Sequence, residues 1–369
     1  MCYLLIKYMD NPPKLFIPGP TEVTKDVLES FSKAQIGHRT PEFSELMKSI
    51  VKGVQKVLYT NNRIYLASNP ATALWEMSVV NSVKKGVLHA VNGAFSNKWV
   101  SVSNSLGLKN KKIDFEWGKG VDINEVDKVL STGNYDVFAM VHNETSTGTQ
   151  SNLEEISNLL IHKYPDVIWL VDAVSSMAGT KIEVDKLGID CIFSSLQKAW
   201  GLPAGFSIFS VSDRFRKVSN SIKSKGYYFD LNIYDKYYDK MQTPSTPSIA
   251  HMYGMKYILE QINLEGIDNR WLRHIKMAEF TRKWASDRGQ TIFPDSGCES
   301  NTITCICNDR NWDINKINEI LLSKGYRMDR GYGKLRYKAF RIAHMGNVTF
   351  EMLKEYLDVF DKVLKDLNK

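Results

Sequence analysis

No stretch of this chain approaches the roughly 18 to 20 continuous apolar residues that a membrane span requires. The apolar start MCYLLIKYM is short, runs at once into Asp10-Asn11-Pro12-Pro13, and lacks a small-residue cleavage site. No membrane partner is therefore expected, and the expected location is the cytoplasm. Cysteine is also scarce: Cys2, Cys191, Cys298, Cys305 and Cys307 are the only five. An odd number without paired ligand spacing argues against a disulfide framework and against a metal site. Cys305 and Cys307 sit in an apolar, β-branched run and read as core thiols of a strand. A concentrated basic face is missing too. Lys and Arg exceed Asp and Glu by 48 to 41 but are spread along the chain, so no nucleic-acid partner is expected, while a mild positive balance suits small anionic substrates. No internal repeat or low-complexity segment is visible. What remains is a chain of 369 residues, 43% hydrophobic and 24% charged, long enough to bury one large core and a second, smaller one.

From about Ser44 to Ser210, short β-rich runs alternate with helical patterns. The runs are RIYLA, GVLHAVN, DVFAMVHN, VIWLVDA, IDCIFSS and GFSIFSV, with helices expected over Ala73 to Val83 and Leu153 to Tyr164. This alternation predicts an α/β fold with helices packed on a mostly parallel sheet. Ligands of such sheets bind outside the carboxyl ends of the strands, so the polar residues that follow these runs are the candidates. After about Asp213 the pattern changes to an aromatic-rich stretch, a Thr-Pro-rich turn and one long helical segment from Ile249 through Ala285. Strand TITCICN, a helix over Ile314 to Lys324, strand FRIAHM and a final helix over Phe350 to Leu367 then read as a smaller α+β domain.

Four strand ends carry chemistry. The string Ser194 to Gly205 sets Lys198 just past an apolar strand and before a Gly/Pro-rich turn. A lysine there can act as a Schiff-base nucleophile if its surroundings depress its pKa; a solvated loop lysine is the alternative. Asp172 closes the preceding strand, where a carboxylate needs a partner. The pyridinium nitrogen of pyridoxal phosphate would be one, keeping the ring an electron sink; capping of the next helix would be another. His142 to Gly148 form a polar cluster able to hydrogen-bond a cofactor's ring oxygen, or simply a polar loop. Ala67 to Ala73 make a small-residue turn opening a helix, whose free N–H groups and dipole can hold an anion. The glycine usual in such a cup is absent. Arg341, flanked by Phe340 and Ile342 in a strand, demands an anion partner, either a substrate carboxylate or a protein carboxylate.

In this order, these segments resemble the class V pyridoxal-phosphate aminotransferases, most closely the alanine/serine–glyoxylate (or pyruvate) branch. The resemblance runs from Ile17-Pro18-Gly19-Pro20-Thr21 and Ile36-Gly37-His38-Arg39 to Phe340-Arg341-Ile342-Ala343-His344-Met345-Gly346, nearly the whole chain. It implies the fold type I transferase architecture, with a large cofactor-binding domain over 14–255 and a small one over 256–369, the segment 1–20 lying near the active site. It further implies Lys198 as Schiff-base lysine and proton shuttle, Asp172 as pyridinium partner and Thr145 as donor to the phenolate oxygen. Gln197, with Ala71 and Thr72 of the cup, would hold the phosphate, and Phe95 would stack on the ring unless it is an ordinary core aromatic. Thr243 and Thr246 match a turn that donates hydroxyls to the phosphate of a second subunit, implying a homodimer with its active site at the interface; a plain Pro-rich turn is the alternative. Arg341 would bind the substrate carboxylate, with Gly19 beside it. Ser68 receives no role, and His38, Arg39, Tyr332, Lys334 and His344 lie in similar strings without an assigned one.

The activity implied is ping-pong transfer of an amino group from a small L-amino acid, serine or alanine, to a 2-keto acid, glyoxylate or pyruvate. Phosphoserine transamination is the alternative, should His38, Arg39, Lys334 or Arg336 line the pocket. A cysteine desulfurase would need a nucleophilic loop cysteine, for which only Cys298 qualifies. A silent structural relative would be expected to lose Lys198, Asp172 or Arg341, and all three are present.

Overall fold

The computed structural model describes residues 12–367. Its strands are β1 (Lys14–Phe16), β2 (Arg63–Ala67), β3 (Val87–Val91), β4 (Asn110–Asp114), β5 (Val137–Val141), β6 (Asn143–Glu144), β7 (Thr149–Gln150), β8 (Ile168–Asp172), β9 (Cys191–Ser195), β10 (Ser207–Val211), β11 (Ile303–Cys307), β12 (Tyr326–Met328) and β13 (Ala339–Ala343). Seven of them form one sheet in the order β2-β10-β9-β8-β5-β3-β4. Only β10 runs antiparallel to its neighbours, so the mostly parallel sheet expected from the sequence is present. β3, β5, β8, β9 and β10 are buried along their whole length, which is why they read as largely apolar runs, broken only by small or single polar residues, and not as strictly alternating ones. β4 ends the sheet with the sequence Asn-Lys-Lys-Ile-Asp and exposed lysines, charge that blunts an open edge. It carries too little apolar pattern to be seen in advance.

Strand order reverses at β3, which has β4 on one side and β5 on the other. A crevice opens at such a point, outside the carboxyl ends of the strands. The pairing register sets Asp172 level with Val141 at the end of β5 and with Phe193 in β9. The polar residues that follow these strands therefore share one edge.

A second core gathers Phe16, Met277, Trp284, Phe340, Tyr356 and Phe360. β1 joins it by pairing in parallel with β12, and Phe16 stacks on Tyr356 at 4.0 Å between ring centroids. The N-terminal strand thus belongs to the C-terminal core, and Ile17–Thr21 must cross to the main sheet. Trp271 lies in the first core and Met277 in the second, so the helix Ile267–Ser286 ties the two together.

The single helix expected from Ile249 through Ala285 is two, Ile249–Glu265 and Ile267–Ser286. Gly266 divides them: its φ of +81° is left-handed, and its N–H closes the first helix on the Ile262 carbonyl. Apolar periodicity continues across the break, so pattern alone missed it. The helix expected from Ala73 begins earlier, at Ala71, and ends at Val80; Pro70 precedes it without needing an N–H of its own. No helix among the described residues is long and apolar enough to cross a membrane.

Candidate active site

Three residues beyond β9, Lys198 turns back against the crossing segment 17–21. Its Nζ donates to the Pro18 carbonyl at 2.6 Å. Thr21 fastens the same contact from the other side, its N–H on the Gln197 carbonyl at 3.1 Å and its hydroxyl on the Lys198 carbonyl at 3.1 Å. Gly19, with φ +150°, has no side chain because a Cβ there would lie 2.3 Å from Lys198 Nζ. Burial lowers the Lys198 pKa to about 8, assisted by the Arg341 charge and opposed by Asp172 and Asp329. About a tenth of this lysine is then a neutral amine at pH 7, far more than for an ordinary lysine, and that is the state a nucleophile or base requires.

Asp172 ends β8, 3% exposed. Trp75 Nε1 donates to one carboxylate oxygen at 2.7 Å and the Val174 N–H to the other at 2.8 Å. Burial nevertheless raises its pKa to about 6, only partly offset by those two donors. A carboxylate kept at this cost has a reason to meet a cation.

Beside it, Thr145 exchanges a hydroxyl hydrogen bond with Ser175 at 2.5 Å. Glu144 is fully buried and accepts from the N–H groups of Phe95 (3.1 Å), Ser96 (2.9 Å) and Ser146 (3.1 Å) and from both serine hydroxyls. It holds the start of the helix Ala94–Ser105 and so sets Phe95. Gly93 makes room, since a Cβ there would lie 2.2 Å from the Glu144 side chain.

Ala71, Thr72, Trp75, Phe95, Thr145, Asp172, Gln197 and Lys198 line one cavity of about 180 Å³. A second, of about 400 Å³, shares Phe95, Thr145 and Lys198 and adds Gly19, Asp329, Arg336 and Arg341. The helix start at Ala71 has no side-chain cap, and Gln197 accepts from the Ser195 hydroxyl with its carbonyl oxygen, leaving its amide hydrogens for the cavity.

Arg341 is 4% exposed, and the anion it demands is present in the chain itself. Its Nε and Nη2 each donate to Asp329 at 2.7 Å, and Nη1 donates to the Thr145 carbonyl at 2.7 Å. The Gly331 N–H also holds Asp329, at 2.8 Å.

Other candidates, Tyr332 excepted, stand apart from these two cavities within this one chain. Thr243 is buried and donates to Ser245, while Thr246 is exposed and meets His38 at 3.5 Å. Arg39 donates to the Thr243 carbonyl at 2.8 Å. Ser68 accepts from the Ser248 N–H at 2.9 Å, tying that turn to the strand end. Lys334 lies 4.1 Å over the Trp117 ring. His344 is buried with Nε2 on the Thr304 hydroxyl at 2.9 Å. Tyr332 stacks on Phe95 at 5.1 Å and shares the larger cavity. Cys305 is buried, and none of the described cysteines lines either cavity. No cluster of three or more possible metal-ligating side chains occurs among the described residues.

Sequence reasoning overlooked Trp75, Glu144 and Asp329. Glu144 stood in the polar string His142 to Gly148, but the helix start it holds, at Phe95 and Ser96, lies 48 or more residues away. Asp329 follows a three-residue strand with no apolar pattern to announce it.

Residues 15–332 match the Aminotransferase class-V family. The chain belongs to the class V aminotransferases. An uncharacterized aminotransferase of Methanocaldococcus jannaschii is 34% identical over 96% of this chain and 93% of its own. A serine–glyoxylate aminotransferase of Arabidopsis thaliana is 30% identical, over 98% and 92%. Among solved structures, an alanine–glyoxylate aminotransferase from Nostoc sp. superposes with a TM-score of 0.89 at 29% identity, covering 95% of each chain. The protein is thus an aminotransferase of the fold type I class, and the family implies pyridoxal phosphate as cofactor. The residues present fit that group. A lysine with a depressed pKa, a buried carboxylate in want of a cation and an uncapped helix start surround one cavity, matching an aldehyde, a ring nitrogen and a phosphate.

Proposed function

We propose that this aminotransferase moves an amino group from a small L-amino acid, serine or alanine, to glyoxylate or pyruvate, in a ping-pong cycle. The observation that carries this reading is the placement of Lys198 on the walls of both cavities, with Asp172 in the smaller and Arg341 in the larger. Lys198 would hold the cofactor aldehyde and, once released by the incoming amine, move the proton between the substrate α-carbon and the cofactor. Its pKa near 8 suits general acid–base work, typically worth about 10²- to 10⁴-fold. Pyridoxal phosphate, when bound, supplies the electron sink. Asp172 would keep the ring nitrogen protonated, Thr145 would donate to the ring oxygen, and Phe95 would cover the ring face. Gln197 and the helix start at Ala71 and Thr72 would hold the phosphate. Arg341 would receive the substrate carboxylate, with Gly19 leaving space beside Lys198. Thr243 and Thr246, outside their own chain's cavity, would serve a second copy across a homodimer interface.

Phosphoserine is the second reading. Of the four cations considered for an anionic side chain, Arg336 lines the larger cavity. Sulfur transfer has lost its candidate, since Cys298 does not line the cavity.

The test is the absorbance of the cofactor-loaded protein on separate addition of L-serine, L-alanine, L-glutamate and L-phosphoserine. Serine or alanine should convert the band to that of the amine form, and glyoxylate or pyruvate should restore it. Conversion only by phosphoserine and glutamate would establish the second reading. No conversion by any of them, with the band present, would refute both.

A further inference from the structure

Arginine offers five N–H donors, and three of those on Arg341 are already engaged: Nε and Nη2 by Asp329 and one on Nη1 by the Thr145 carbonyl. One N–H on each of Nη1 and Nη2 remains. The Asp329 pair is bidentate at 2.7 Å, with side chains only 5% and 15% exposed. Asp329 is itself restrained by the Gly331 N–H at 2.8 Å, so it is a fixed part of the wall and not a passing surface contact. Both residues line the cavity that Lys198 lines.

Resting on the activity proposed above, we infer that Asp329 determines how this site holds a substrate carboxylate. It occupies one full edge of the Arg341 guanidinium and neutralises its charge. An arriving carboxylate is received on the two remaining N–H groups, as the acceptor of hydrogen bonds from a locally neutral pair. It does not gain the full attraction of an unpaired guanidinium. The site therefore gives up affinity for the carboxylate and part of its preference for a carboxylate over an uncharged carboxamide. Asp329 acts here as a specificity-determining residue that works through Arg341 and touches no reacting atom.

The experiment uses the cofactor-loaded protein, with propionate as an unreactive monocarboxylate and propionamide as its uncharged counterpart, both titrated calorimetrically. Asp329→Asn keeps the shape and removes the charge, and Asp329→Ala removes the side chain. Both variants should bind propionate about tenfold more tightly or better, the scale of one added charged hydrogen bond, with propionamide unchanged. A spectroscopic readout accompanies this: Asp329 and Lys198 line one cavity, and removing a negative charge from its wall disfavours the protonated form of the bound cofactor, so the pH midpoint of that cofactor's absorbance should fall in Asp329→Asn. Equal or weaker propionate binding in both variants, or an equal gain for propionamide, would overturn the inference. So would an Arg341→Gln variant that binds propionate as the parent does. Failure of the aminotransferase reading would look different: the parent protein itself would show no conversion of its band by any amino acid.

Discussion

The burial of Asp172 makes the cofactor-free protein unstable in a pH-dependent way that can be worked out in advance. Its carboxyl has a pKa raised from 3.8 to about 6, so between those values the folded chain binds a proton that the unfolded chain releases. Stability from this group is complete below the unfolded value and is lost as pH rises through the folded one. A shift of that size corresponds to about 3 kcal/mol, at 1.36 kcal/mol per unit. Asp172→Asn removes the titration while keeping a side chain of the same shape. Urea unfolding of parent and variant, both free of cofactor, should be compared at several pH values from 4 to 8. Taking the difference cancels the other titrating groups. Parent stability relative to the variant should fall by about 2.5 kcal/mol across the range, and saturation with pyridoxal phosphate should remove most of that fall by setting a cation against the carboxylate. A difference that stays flat, or that rises with pH, would refute the argument that Asp172 is held ionised at the fold's expense.

Three further outcomes follow from the same geometry. In the cofactor-free protein, acylation of Lys198 followed by peptide mass analysis should rise with pH about a midpoint near 8, since only the neutral amine reacts. Gly19→Ala would drive a Cβ to within 2.3 Å of Lys198 Nζ; steady-state kinetics should show a fall in kcat of about tenfold or more, because small misplacements near the chemistry are costly. Glu144→Gln turns an amide NH₂ toward N–H donors that a carboxylate now accepts, so thermal or urea unfolding should register a loss of about 1–3 kcal/mol, with weaker cofactor binding as Phe95 loses its support.

Much of the site was legible because its polar residues interrupt apolar strands, where burial makes each of them conspicuous. Lys198 and Asp172 stand out in this way, as does the polar cluster His142 to Gly148, within which the family resemblance singles out Thr145; the structure sets all three residues on the wall of one cavity. The demand of Arg341 for an anion was also readable from its flanking Phe340 and Ile342, but not the identity of the anion. A protein carboxylate twelve residues earlier fills that role, reaching back from the loop between β12 and β13, a contact that has no sequence period. Glu144 was missed for a related reason: capping of the helix Ala94–Ser105 from another strand end leaves no signature at either place. In the fold, β5, β8 and β9 announced themselves as apolar runs, whereas β1, β4 and β12 are three to five residues long and mostly exposed or mixed. The break at Gly266 needed the left-handed backbone to be seen, since the apolar stripe passes through it.

Borohydride reduction of the protein loaded with pyridoxal phosphate, followed by peptide mass mapping, shows which lysine carries the cofactor. One pyridoxyl group is expected, on Lys198, and none in a Lys198→Ala variant. Attachment to another lysine, or no attachment in a protein that binds the cofactor, would contradict that assignment.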